Sequence, residues 1–389
     1  MIKVGFIINF DKKNWLGGFN YFTNLFKFLL KNSNRKIEPI IITDNRNKII
    51  KEKEFKNIKY IETNIVSESN FFNRIKNKIL LIIFGKNFYL EKFLINNNIK
   101  VLSHSGATGR NSKIKSFPWI PDFQELNFPD NFSFYSRLLR RINHYNNIIN
   151  STKIIVSSNA VRKDLKKISL RGYNKSCVIK HINFVIPKRK IKSINYLKKK
   201  YKINNKFFLL PNHYWVHKNH IVVLNALNFI KRKNFIIVST GRCHDHRNPQ
   251  YFNNFKNKIN ELGLEKYYKI LGIVPFEDLC SLIFNSMGVI NPSMSEGFPN
   301  SADQATLLGK IAILSNIQVH LEERKKNYFY FNSEDYKKLA KILKNKSNNA
   351  QIKINYEKNY LYLQKKFINK YSIRHFCVSI LFGSFPSFT

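Results

Sequence analysis

Asn291-Pro292-Ser293-Met294-Ser295-Glu296-Gly297-Phe298-Pro299-Asn300-Ser301-Ala302-Asp303-Gln304-Ala305 directly follows the apolar run 288–290. A short apolar run closed by polar and turn-forming residues reads as a buried parallel strand. Gly297 and Pro299 then break the chain before a helical segment begins. A strand, a loop carrying a carboxylate and a helix start together put an acceptor for sugar hydroxyls, Glu296, beside backbone N–H groups able to hold phosphate. The same pattern also fits an ordinary strand-to-helix loop in which Glu296 caps the helix. Either way, the unit belongs to an α/β protein.

Working outward, similar strand-like runs occur at 207–210, 235–239, 268–271 and 311–315, each separated from the next by a helical segment. An earlier series begins at residues 3–9, where Gly17-Gly18 leads into a helical pattern over 19–30, and continues at 40–43, 101–103 and 154–157. Two alternating series predict an α/β protein of two doubly wound, Rossmann-like domains facing a cleft. The basic, irregular stretch 180–205, with Pro187 and Lys188-Arg189-Lys190, reads as the linker. The expected domains are residues 1–190 and 191–371, with a C-terminal helix at about 372–389 crossing back to the first.

The length of 389 residues exceeds what a single core fills comfortably, which agrees with two domains. With 43% hydrophobic residues, 34 Phe and 19 Tyr, the composition excludes a disordered chain. Lys and Arg number 67 against 24 Asp and Glu, a net charge of +43. That surplus fits a compositional drift toward Lys and Asn, docking on an anionic membrane, or nucleic-acid binding. The basic residues are scattered rather than gathered in one tail, so no nucleic acid is expected as a partner. Peripheral contact with anionic membrane stays open.

The opening apolar run is too short for a signal peptide and the longest, 79–84, too short to span a bilayer. Cys177, Cys243, Cys280 and Cys377 are widely spaced, without a CxxC pair. A cytoplasmic protein is therefore expected. Two clusters invite a metal: His213, His217 and His220, and Cys243-His244-Asp245-His246. The first lacks a carboxylate or Cys at ligand spacing and the second packs its ligand types too closely in one loop, so no metal is expected.

The 291–305 stretch resembles the group 1 glycosyltransferases of the GT-B fold, a retaining family also called family 4, in which Pro-Ser, then Glu-Gly-Phe-Pro-Asn, then a second Glu followed by Ala recur. Here Pro292-Ser293, Glu296-Gly297-Phe298-Pro299-Asn300 and Gln304-Ala305 stand at those places. Gln304 replaces the second Glu, so the ribose-binding carboxylate becomes an amide, which still bonds a diol but without charge assistance. Leu210-Pro211-Asn212-His213-Tyr214-Trp215-Val216-His217-Lys218 resembles the family's donor-phosphate loop, with Lys218 at the place of its Lys and His213 at the place of its Arg. A histidine there implies a phosphate clamp that is weaker or pH-dependent.

Thr240-Gly241 with Asp245, Arg247 and Tyr251 is similar to the family's second strand-to-helix loop, and Leu271-Gly272-Ile273-Val274-Pro275 to the loop whose backbone lies near the nucleotide base. In the N-terminal half, Gly17-Gly18 resembles the glycine loop near donor and acceptor, and Trp119-Ile120-Pro121-Asp122-Phe123-Gln124 a cleft-lining segment in which Asp122 faces sugar or acceptor or else forms a structural turn. Ser158 reads as a helix cap.

The resemblance implies transfer of a sugar from a nucleoside diphosphate to a glycan or lipid-linked acceptor, with retention, in cell-surface polysaccharide biosynthesis. It assigns Glu296, Lys218 and Asp122 to catalysis, and Gly17, Gly18, His213, Gly297, Phe298, Asn300 and Gln304 to substrate binding, with no cofactor besides the nucleotide-sugar donor. The departing diphosphate's charge would be held by Lys218, the glycine loop and helix amides. A nucleotide-sugar epimerase of the same fold, or a non-catalytic binder of nucleotide-sugar or nucleic acid, are the competing readings. A phosphorylase lacks a visible pyridoxal-phosphate lysine motif.

Overall fold

The computed structural model describes residues 1–10, 15–32, 37–45, 52–67, 79–81, 83–245 and 247–348. His246 and the helix expected at about 372–389 lie outside them. The described chain forms two compact units: Met1–Phe123 with Phe134–Ile182, and Gln124–Ser133 with the residues from Asn183 onward.

The first unit holds β1 (Ile2–Ile7), β2 (Ile37–Thr43), β3 (Lys59–Glu62), β4 (Ile99–Ser103), β5 (Lys115–Phe117), β6 (Trp119–Ile120), β7 (Ile154–Val156) and β8 (Ser176–Val178). All pairings are parallel, in the orders β3-β2-β1-β4-β5 and β6-β7-β8. Pro118 divides β5 from β6: it has no N–H to give a ladder, while its carbonyl accepts from Ile155 N at 2.8 Å. One extended segment thus serves both sheets. The helix Leu16–Asn32 packs Phe19, Phe22, Leu25, Phe26 and Leu29 against Val4 and Phe6 of β1, the spacing a helix needs to keep one face on a sheet.

The second unit holds β9 (Phe207–Leu210), β10 (Ile236–Ser239), β11 (Tyr268–Ile270), β12 (Val289–Asn291), β13 (Ala312–Ser315) and β14 (Tyr328–Phe331). They form one parallel sheet in the order β11-β10-β9-β12-β13-β14. In β9, Phe207 and Leu209 join one apolar layer and Phe208 and Leu210 the other. Burial on both faces explains why these strands read as unbroken apolar runs. The strand order reverses between β9 and β12, and crevices for ligands form outside the carboxyl ends of strands at such a reversal.

Two expectations change in detail, and the structure adds strands. The stretch 180–205 is largely packed structure rather than free linker: Val185, Ile186, Leu197 of the helix Ile194–Tyr201, and Ile203 belong to the second unit's core. Gly17 and Gly18 lie inside the first turn of the helix Leu16–Asn32 instead of preceding it. β14, which like β3, β5, β6 and β8 was not among the expected strands, extends the second sheet by pairing with β13.

Candidate functional site

At the reversal in the second sheet, several contacts tie together the loops leaving β9 and β12. Asn212 Nδ2 donates to Asn291 Oδ1 at 2.9 Å, Met294 N to His217 O at 2.8 Å, and Asn219 Nδ2 to Pro292 O at 3.2 Å. Lys218 Nζ meets Glu296 Oε1 at 3.1 Å. Asn219 adopts a left-handed backbone, φ 53°, which Asn tolerates better than most residues. The turn lets the helix His220–Phe229 start directly after Asn219. The loop after β10 closes onto the same place: Gly241, φ 139°, presses against the Asn212 carbonyl where any Cβ would collide, and its N–H donates to Gly272 O at 2.8 Å.

Glu296 is anchored through one of its two oxygens. Its Oε1 accepts from Asn291 Nδ2 at 2.9 Å and Ser293 Oγ at 2.7 Å in addition to Lys218. Asn291 is itself held by Asn212 and by Ser301 Oγ at 3.1 Å. Burial alone would raise the Glu296 pKa, but Lys218, then His320, Ser293 and Asn291 outweigh it, so the carboxyl stays below its ordinary range. Among the described residues every donor converges on one oxygen. Oε2 is left to accept from a ligand, and the carboxylate can orient hydroxyls without leaving its anchors.

The imidazoles around this ion pair are neutral. Burial, then Lys218 and Arg242, push His213 down to about 4; burial pushes His220 to about 3, and His217 and His320 also fall. Arg242 N donates to His213 Nδ1 at 2.9 Å, which assigns the proton to Nε2. His213 is therefore an uncharged donor. Among the described residues, no group of three or more His, Cys, Asp or Glu side chains is placed to hold a metal ion.

The remaining expected residues divide by unit. Gly297 and buried Phe298 lead from Glu296 to exposed Asn300, the first residue of the helix Asn300–Leu307, and half-buried Gln304 lies one turn along that helix. Asp303, beside Gln304, is buried: its Oδ1 accepts from Lys325 at 2.8 Å and its Oδ2 from Asn183 at 3.4 Å, so it does not replace the missing carboxylate. Gly17 is exposed; at buried Gly18 a Cβ would strike the Trp15 indole. Half-buried Asp122 follows β6. These three belong to the first unit, whereas Lys218, Glu296, His213, Gly297, Phe298, Asn300 and Gln304 share the second. Ser158 caps its helix as expected, accepting from Val161 N at 3.2 Å.

Two further groups carry contacts that local sequence does not show, the second of them built on His104, which the sequence analysis did not single out. Asp245 Oδ1 accepts from Arg247 Nε at 3.0 Å, and the Arg247 guanidinium lies 5.2 Å from the Trp215 ring centre and bonds Gln124 Oε1 at 3.1 Å. In the first unit, His104 sits at the end of β4 with φ 56°, its Nε2 2.7 Å from Tyr21 Oη and its Nδ1 2.8 Å from Ser103 Oγ. Burial, then His181, push it down to about 3. Tyr21 stacks on Trp119 at 4.1 Å, and Trp119 on Trp15 at 5.7 Å. Ser103-His104-Ser105-Gly106 directly after an apolar run was the available signal.

Residues 193–359 match the family of glycosyl transferases group 1. That span contains the whole second sheet and both partners of the Lys218–Glu296 pair. No curated protein matches the chain significantly. Among solved structures, a glycosyltransferase from Rickettsia africae ESF-5 is 17% identical, covering 98% of this chain and 99% of its own, with a TM-score of 0.66. Anabaena HepE in complex with UDP-glucose is 15% identical over 95% of this chain and 96% of its own, TM-score 0.68. WaaG, a glycosyltransferase involved in lipopolysaccharide biosynthesis, is 14% identical over 98% and 100%, TM-score 0.63. At such identities the likeness is one of fold, and the fold is GT-B.

Proposed function

We propose that this chain is a retaining, metal-independent glycosyltransferase of family 4 type, moving a sugar from a nucleoside diphosphate to a glycan or lipid-linked acceptor in cell-surface polysaccharide biosynthesis at the cytoplasmic face. The observation that carries this reading is the Lys218–Glu296 pair, held at the strand-order reversal inside the stretch that matches the group 1 family. The likeness to WaaG supports a cell-surface acceptor.

In this reading the second unit takes the donor and the first, with Asp122, Gly17 and Gly18, the acceptor. Glu296 keeps Oε1 on its anchors and offers Oε2 to the sugar's hydroxyls. Lys218, shared between Glu296 and the diphosphate, holds negative charge as the bond from the anomeric carbon to phosphate oxygen breaks. The amide N–H groups opening the helix Asn300–Leu307 and the His213 Nε2–H add neutral donors. The anomeric carbon exchanges its phosphate oxygen for an acceptor oxygen on the same face, and the acceptor's proton leaves with the nucleoside diphosphate. Gln304 bonds the ribose diol through its amide.

The test is release of UDP or GDP from a panel of donors by the purified chain. One donor class is expected to turn over, and Glu296→Ala to lower kcat about 10²- to 10³-fold, the usual cost of removing a positioned polar group. An absence of turnover together with an absence of nucleoside diphosphate binding in calorimetry overturns the assignment.

A further inference from the structure

In the first unit, the glycine at position 18 makes room for an indole of the protein itself. The Trp15 carbonyl accepts from Phe19 N at 2.9 Å, which ties its backbone to the helix Leu16–Asn32. Its ring lies over buried Gly18, where any Cβ would overlap the six-membered half of the indole. Phe10 meets the ring edge-on with centres 5.0 Å apart, and Trp119 stacks with it at 5.7 Å and 25° between the planes. Held by all of these, Trp15 is still 38% exposed. A lone surface aromatic needs no explanation, but one whose plane is fixed and whose surface stays open does.

The rings behind it are already engaged. Trp119 stacks on Tyr21 at 4.1 Å and gives its Nε1–H to Ser157 Oγ at 3.1 Å. Buried Tyr21 has its hydroxyl on His104 Nε2. Packing therefore sets the Trp15 plane before a ligand arrives, and little side-chain freedom is left to lose on binding. The group is also uncharged, since burial raises the Tyr21 pKa and lowers that of His104. Asp122 stands two residues beyond β6, the strand that carries Trp119. A flat, preset, neutral indole recognises a sugar ring: the negative face of its π system attracts the slightly positive C–H bonds on one face of a pyranose. A lipid phosphate would seek a cation instead, and an acyl chain gains nothing from a fixed plane.

We propose that Trp15 is the stacking platform of the acceptor site and that the acceptor presents a pyranose ring to it. The proposal rests on reading the first unit as the acceptor side, and adds the chemical class of what binds there.

Saturation-transfer NMR of the full chain with methyl β-glucoside, methyl β-galactoside and lactose tests it. Saturation is expected on the C–H protons of one ring face. Trp15→Ala is expected to weaken binding roughly tenfold, the contribution of one aromatic stack. Trp15→Phe keeps a smaller ring and loses about threefold, so the test survives if the alanine variant fails to fold. Gly18→Ala, which pushes the indole aside, is expected to lose as much as Trp15→Ala. Octyl β-glucoside below its micellar concentration separates the two sources of such a ring: a site for a free glycan binds it as it binds the methyl glucoside, and a site for a lipid-linked glycan binds it more tightly. The proposal is overturned if both Trp15 variants bind as wild type, if glycerol is saturated as strongly as the glycosides, or if an isoprenyl phosphate binds through Trp15 while the glycosides do not. UDP and GDP binding by wild type is measured alongside in calorimetry. Nucleotide binding without glycoside binding overturns the platform alone, whereas glycoside binding without nucleotide binding overturns the proposed transfer.

Discussion

At the carboxyl end of β12, Glu296 sits on a lysine, an asparagine and a serine; at the carboxyl end of β4, His104 sits between a tyrosine and a serine under stacked indoles. Both sheets begin with the same order, in which the third, second, first and fourth strands lie side by side. Equivalent topology has therefore been given opposite chemistry. The second unit's edge is ionic, with a carboxylate kept charged and a lysine beside it. The first unit's edge, as far as His104, Tyr21, Trp119, Trp15 and His181 extend, is aromatic and imidazole. An ion pair with one oxygen free suits a ligand that has both hydroxyls and a diphosphate. A stack of rings with neutral donors suits a ligand without charge at that point.

The largest expected effect separates the two edges. Glu296→Ala removes the acceptor from Lys218, Asn291 and Ser293 together, so beyond the loss in kcat it is expected to cost about 3 kcal/mol of stability in urea unfolding, because a mostly buried ammonium is left without its partner. Glu296→Gln, which keeps an acceptor oxygen, recovers most of the stability but little of the rate. If the glutamine variant instead recovers the rate, the carboxylate's charge is irrelevant and the contrast between the edges loses its basis.

Acid provides the next test. His213, pushed to about 4, His220, to about 3, and His217 and His320, both lowered, surround the second unit's site, against His104 at about 3 in the first. Each has a folded value below that of the unfolded chain, so unfolded chain takes up protons that the native form refuses. Their stabilisation is complete above about pH 6.5 and declines as pH falls toward 4, by up to about 1.4 kcal/mol per pH unit for each histidine. Glu296, also depressed, adds its loss only below the ordinary glutamate range. Hydrogen exchange at pH 7 and pH 5, corrected for intrinsic rates, is expected to show β9 and β12 losing protection well ahead of β1 and β4. Equal losses would mean the buried imidazoles are not neutral as placed.

How much of this was legible beforehand depends on range along the chain. β9 reads to the residue, because Phe207-Phe208-Leu209-Leu210 is apolar on both faces. β3 does not, since Lys59 and Tyr60 are exposed and its pattern is that of an edge. Lys218 and Glu296 were each visible in their loops, with separate tasks, but their contact depends on strand order, which local pattern does not encode. The fixed oxygen of Glu296 depends further on Asn291, which reads as the first residue of the loop but is the last residue of β12. His104 was hidden for another reason: its role rests on a left-handed backbone and on Tyr21 from a distant helix, neither of which spacing reveals.

A smaller effect probes the aromatic edge. Tyr21→Phe removes the hydroxyl on His104 Nε2 and keeps the ring on Trp119. The expected cost is about 1–2 kcal/mol in the first unit, the price of one orphaned buried nitrogen, with donor hydrolysis unchanged. A fall in donor hydrolysis comparable to that of Glu296→Ala would place both edges in one machine and dissolve the contrast.

His213→Gln is expected to change least and sharpens the comparison most finely. Its ring nitrogens have fixed jobs: Nδ1 accepts from Arg242 N, and Nε2 carries the proton. A glutamine amide offers an acceptor and a donor too, though not at the same spacing, so donor KM should rise only a few-fold while kcat holds. Because burial keeps the imidazole uncharged down to about pH 4, the pH profiles of wild type and variant between pH 6 and 8 should run parallel. If wild type alone shows an inflection near pH 6.5, His213 charges when donor binds, and the clamp at Lys218 gains a second cation that the unliganded arrangement withholds.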